Sequence, residues 1–192
     1  MHPAAESAGE SSQKRTYRQT SILMNIDELT LRHVETALLD CDGSCRDINF
    51  AEGISTSGAI DVLGFLASSW TMVRSMTSEG DEVANAELQG YLRKASGSLS
   101  TIWNGGHNPE HIQAYFHWDE PERVFCEITF FPQDFDGETF KLTDFLSMVS
   151  KFALAARSTE YYLRYEDASW RHGQDEKDSV ILSHKVMSFL PT

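Results

Sequence analysis

Three histidines, His107, His111 and His117, fall in one short stretch, with Asp119 and Glu120 close behind. Imidazole and carboxylate side chains ligate metals, so this cluster is the natural place to look for metal-assisted catalysis. The spacing argues against it. H-x3-H suits a helix, where residues four apart share a face, but Asn108-Pro109 and then a strand-like run intervene. On a strand, His111 and His117 share a face yet lie about 20 Å apart at ~3.3 Å per residue. These are expected to be surface or capping histidines, and a metal-assisted enzyme built on them is the alternative reading. Cys41 and Cys45 flank Asp42-Gly43-Ser44, and a lone C-x3-C without a second pair is a poor zinc site. No G-x-S-x-G elbow is present, and Asn104-Gly105-Gly106-His107 is not followed by the Lys-Ser/Thr of a phosphate loop. A pair of carboxylates for acid–base work is always available among 29 acidic residues, which is why none is selected. The sequence names no catalytic residue, no metal and no cofactor.

Acidic residues and aromatics occur together in three places: Trp118-Asp119-Glu120-Pro121-Glu122, Asp134-Phe135-Asp136-Gly137-Glu138, and Glu166-Asp167-Ala168-Ser169-Trp170. Each falls at a strand end or loop, where binding residues concentrate. Aromatics supply anchors, and surrounding charges set specificity and association rate. Ordinary solvated turns with core-directed aromatics use the same residue types. The binding reading selects Trp118, Asp119, Glu120, Glu122, Asp134, Asp136, Glu138, Glu166, Asp167 and Trp170. Sixteen basic residues against 29 acidic ones give a net charge of −13. That balance argues against nucleic acid and anionic membranes as partners. It is compatible with a basic protein partner.

These residues are positioned by two alternating runs, a turn, a long amphipathic stretch and a further run. From His111, Ile112, Ala114, Phe116 and Trp118 point one way while Gln113, Tyr115 and His117 point the other. Period two is that of a strand. Asp119-Glu120-Pro121-Glu122 breaks the run, and Val124, Cys126, Ile128 and Phe130 resume it as an apolar face. The two runs predict a hairpin with one face buried. Leu142, Phe145, Leu146, Val149, Phe152, Ala153 and Ala156 then follow helical spacing, with Thr139 or Thr143 available to cap the start. Glu160 to Asp167 alternates again. Upstream, Cys45–Ala51 and Trp70–Ser75 read as strands, with a helix over about 58–68 that Ser57 could cap. A short helix over about 85–94 and a strand over 99–103 follow. Residues 29–40 are ambiguous between helix and strand. The class is α+β, an antiparallel sheet covered by helices.

Residues 1–22 have almost no apolar periodicity and read as a disordered tail, with 23–192 a single α+β domain. Cys45-Arg-Asp-Ile-Asn-Phe resembles Cys126-Glu-Ile-Thr-Phe-Phe 81 residues on. A diverged ββαββ duplication, with half-units 29–106 and 107–192, would explain the match. No run approaches the ~18 apolar residues of a membrane span. The N-terminus lacks an apolar signal core, and three cysteines fit reduced thiols, so a cytoplasmic protein is expected.

Tyr161-Tyr162-Leu163-Arg164-Tyr165-Glu166-Asp167-Ala168-Ser169-Trp170, followed by Val180-Ile181-Leu182-Ser183-His184, resembles the end of certain bacterial immunity proteins. The resemblance spans about residues 110–190. Such proteins are small, acidic, cytoplasmic and α+β, and they neutralise a toxin used in contact-dependent or secretion-system competition. The resemblance implies a tight complex with one cognate toxin, often a basic nuclease, blocked at or beside its active site. It transfers no site residue. The expectation is therefore an inhibitor that is not an enzyme; the alternatives are the metal-assisted enzyme and a non-catalytic subunit or adaptor of a larger assembly.

Overall fold

A computed structural model describes residues 26–166 and 179–187; the tail expected over 1–22 lies outside them. Alternation builds the central hairpin. β4 (Ile112–Glu120) and β5 (Arg123–Phe130) put Ile112, Ala114, Phe116, Val124, Cys126, Ile128 and Phe130 on one buried face. Pro121 and Glu122 turn the chain between them, Glu122 in the left-handed region at φ 69. The other strands are β1 (Arg46–Phe50), β2 (Thr71–Thr77), β3 (Gly97–Asn104), β6 (Tyr161–Tyr165) and β7 (Val180–Ser183). All seven strands form one sheet in the order β2-β3-β4-β5-β1-β6-β7, every neighbour antiparallel. The α+β class with an antiparallel sheet and covering helices is the observed one.

Two long helices cover the packed face. α2 (Thr56–Ser69) buries Ala59, Val62, Leu63 and Leu66, and α4 (Leu142–Ala156) buries Phe145, Leu146, Val149 and Phe152. Buried aliphatic and aromatic side chains of this kind stabilise by about 1.5–3 kcal/mol each. The two helices touch so closely that a Cβ on Gly58 would lie 2.5 Å from the Ala156 carbonyl oxygen. Ser55, rather than the expected Ser57, caps α2 by accepting from the Gly58 N–H at 3.1 Å. Neither Thr139 nor Thr143 caps α4: its N-cap is Lys141, which makes no side-chain cap, and the Thr139 hydroxyl donates to Asp136 Oδ2 instead. The short α3 (Leu88–Tyr91) follows a 3-10 turn at Asn85–Glu87, and α5 (His184–Met187) follows β7.

Residues Glu28–Leu39 form a helix, α1. Asp27 caps it, accepting from the Thr30 N–H at 2.9 Å, and Val34, Ala37 and Leu38 recur at helical spacing on its buried side. The half-unit 29–106 therefore lacks the first strand that a ββαββ duplication needs. Pairing is not equivalent either. β6 lies directly against β1, whereas its counterpart β2 is separated from β5 by β3 and β4. Among the described residues, no helix is long and apolar enough to cross a membrane.

Candidate functional site

Strand direction decides which candidate residues meet. β5 enters the sheet at the hairpin turn and leaves at Phe130, and β6 runs alongside it with β1 between. Asp119, Glu120 and Glu122 are exposed at the hairpin end, while Asp134, Asp136, Glu138 and Glu166 follow the far ends of β5 and β6. A strand of eight residues separates the two groups by about 26 Å. The described acidic residues of the three clusters thus fall on two surfaces. Asp167 and Trp170 lie outside the described residues.

Trp118 is 2% exposed. Its indole N–H donates to the Lys94 carbonyl at 2.9 Å, and its ring meets Tyr91 edge-on at 5.8 Å. It belongs to the apolar row of β4, so it anchors the core and not a partner. Asp134 is half-buried and structural as well: it accepts from the Phe131 N–H at 3.2 Å and sits 3.0 Å from His111 Nδ1. Asp136 accepts from the Thr139 hydroxyl at 2.8 Å and from the Glu138 N–H at 3.0 Å, and these two bonds hold its carboxyl below the usual range. Glu166 is exposed and accepts from the Cys45 N–H at 3.2 Å.

The hairpin end gathers further acids that sequence order alone does not bring together. β3 pairs with both β2 and β4, so the turn after β2 stands beside the β4–β5 turn. Glu79, Asp81 and Glu82 from that turn, and Glu52 after β1, are exposed there with Asp119, Glu120 and Glu122. Two cations nearby are engaged locally. The Arg123 Nε–H donates to the Glu52 carbonyl at 2.9 Å, and Lys94 Nζ lies 4.1 Å from the Tyr91 ring centre. Arg93 is exposed beside them. An open hollow of about 340 Å³ lies between Glu52, His117, Asp119, Glu120 and Arg123.

The histidines do not converge. His111 pairs with Asp134 at one end of β4, His117 Nε2 lies 3.3 Å from Asp119 Oδ2 at the other, and His107 precedes the strand. Among the described residues, no three His, Cys, Asp or Glu side chains are arranged to hold a metal ion.

Two perturbed carboxyls, Asp47 and Glu127, stand on the face of the sheet opposite α2 and α4, which is exposed at Gln113 and Tyr115 and buried at Asp47, Asn49, Tyr162 and Arg164. Register places Met76, Ser100, Tyr115, Glu127, Asn49, Tyr162 and Ser183 in one row across all seven strands. The adjacent row is Arg74, Ile102, Gln113, Thr129, Asp47, Arg164 and Val180. The Asn49 amide donates to Glu127 Oε2 at 2.7 Å, and the Thr129 hydroxyl donates to Asp47 Oδ1 at 2.7 Å. Burial, and then the negative charge of Asp47, pushes the Glu127 carboxyl up to about 7. Burial raises the Asp47 carboxyl too. Cys45 is pushed up to about 12 by burial and by the charges of Asp47, Glu166 and Glu127, and the fully buried Cys126 thiol is raised as well. Neither is an activated nucleophile.

Sequence reading passed over Asp47, Asn49, Glu127 and Thr129. Their one signal is that they alternate with the apolar residues Ile48, Cys126, Ile128 and Phe130 inside β1 and β5. Comparisons with protein-family models, with curated proteins and with solved structures find no match to this chain.

Proposed function

We propose that the protein binds and neutralises a cognate, basic bacterial toxin domain, as a cytoplasmic immunity-type inhibitor with no catalytic step of its own. The acidic hairpin end carries the reading. Glu52, Glu79, Asp81, Glu82, Asp119, Glu120 and Glu122 are all exposed on three neighbouring turns, and the chain has a net charge of −13. A concentrated acidic rim steers a basic partner into encounter and disfavours anionic ones. The likeness of residues 161–184 to immunity proteins supports the same reading, and Glu166, within that stretch, adds an exposed carboxylate at the other end of the sheet.

The test is charge reversal at the β4–β5 turn. Asp119→Lys, Glu120→Lys and Glu122→Lys together are exposed changes, so the folded state tolerates them. Co-expressed with a growth-inhibiting protein encoded beside this one, the triple variant is expected to lose protection while keeping its melting temperature. Full protection by the triple variant would remove the hairpin end from the binding surface.

A further inference from the structure

We propose that the cross-strand pair Tyr115 and Glu127, on the face of the sheet opposite α2 and α4, docks an arginine side chain of the partner; this rests on the partner-binding reading above and names a contact within it. Three observations carry it. First, the two residues are directly opposed in the β4–β5 register, which sets their Cβ atoms about 5 Å apart. A phenol ring and a carboxylate edge therefore stand side by side. Second, Tyr115 is 41% exposed, unusual for so large an apolar ring at the middle of a sheet. Third, Glu127 spends one oxygen on the Asn49 amide at 2.7 Å, and Oε1 makes no hydrogen bond to any of the described residues. The pair thus offers a ring to stack on and an acceptor beside it.

The charges around the pair favour a cation. Asp47 lies diagonally across on β1, adding a second carboxylate. Arg164 and Arg74 share this face, but two strands and three strands away, at about 10 Å and about 14 Å or more given ~4.8 Å between strands. His117 stands one row along on β4 and leans toward Asp119, 3.3 Å from it. The centre of the face is thus acidic and its flanks are basic. A guanidinium fits better than an ammonium, because its plane stacks on the ring while its edge donates to the carboxylate. The partner's arginine would also supply the positive charge that a half-buried carboxylate lacks.

The probe is N-acetyl-arginine amide, titrated into the isotopically labelled protein and followed by NMR, with the neutral isostere N-acetyl-citrulline amide as control. The expected result is saturable shifts centred on Tyr115 and Glu127 with the arginine probe alone, abolished in Glu127→Gln and weakened in Tyr115→Ala. Glutamine keeps an acceptor for Asn49, so the variant retains the local hydrogen bond. Equal shifts with the citrulline probe, or shifts unchanged in Glu127→Gln, would overturn the proposal. A second arm separates it from the reading it rests on. If the wild type binds its partner, Glu127→Gln is expected to weaken that complex about tenfold. Equal affinity of variant and wild type would overturn the arginine contact and leave the inhibitor reading intact. Saturable arginine binding by a protein that neutralises no toxin would leave the contact standing and remove the inhibitor reading.

Discussion

Replacing Glu127 with glutamine should stabilise the protein in alkaline solution and leave it nearly unchanged in mild acid. The folded state holds the Glu127 proton up to about pH 7, whereas the unfolded chain releases it near 4.5. Between those values the folded chain binds more protons, so stability falls as pH rises, and the cost is complete above the folded value. This is opposite to the usual salt-bridged carboxylate, which stabilises as it ionises. At ~1.4 kcal/mol per pH unit the window corresponds to ~3 kcal/mol, and discounting for the partial exposure of the side chain leaves about 2 kcal/mol. Asp47, raised in the same direction chiefly by its own burial, adds to the slope of both proteins. Urea unfolding of both proteins at about pH 5 and about pH 8 measures the effect. The glutamine variant is expected to gain about 2 kcal/mol at the higher pH and under ~0.5 kcal/mol at the lower. An equal difference at both pH values, or a variant less stable at pH ~8, would refute the reasoning, because it would mean that the ionised carboxylate is well paired in the folded protein.

Other outcomes follow from the same contacts. Gly58→Ala sets a methyl group 2.5 Å from the Ala156 carbonyl oxygen, forcing α2 and α4 apart, and is expected to cost about 1–3 kcal/mol in urea unfolding. Trp118→Ala empties a buried site and strips the Lys94 carbonyl of its donor; a loss of about 3–5 kcal/mol in unfolding free energy is expected. Arg46 is fully buried, donates from Nε to the Ala37 carbonyl at 2.8 Å and lies 4.7 Å from the Tyr165 ring centre. Arg46→Met should therefore detach the end of α1, costing about 3 kcal/mol and exposing its amides to hydrogen exchange. Thiol titration of the native protein should label Cys41, which is exposed, and spare Cys126, which is fully buried.

Much of the sheet was legible because its central signal is local. The alternation from Ile112 to Phe130 gives the hairpin and its buried face, and the stripe from Leu142 to Ala156 gives the helix that covers it. The placement of Trp118 was legible too. It falls in register with Ile112, Ala114 and Phe116, so its own period assigns it to the core; the acidic residues beside it made it look like a surface anchor. Residues 29–40 were ambiguous because both periods fit, and the Asp27 cap with the burial of Val34, Ala37 and Leu38 settles Glu28–Leu39 as a helix. What sequence could not supply is the pairing of distant strands. Glu127 meets Asn49 and Thr129 meets Asp47 only because β1 inserts between β5 and β6. Whether a polar residue on a strand is solvated or half-buried depends on that insertion, so the raised carboxyls were invisible in the sequence. The gathering of the β2 turn with the β4–β5 turn, which makes the acidic end, comes from the same long-range order.

The most direct test of the inhibitor account is to recover the tagged protein from its native cells, at low and then high salt, and weigh what comes with it. The account predicts one stoichiometric basic protein that stops growth when expressed alone, and an association that weakens as salt screens the −13 charge. Recovery of the protein by itself, or bearing a metal ion or small molecule in place of a protein partner, would contradict it.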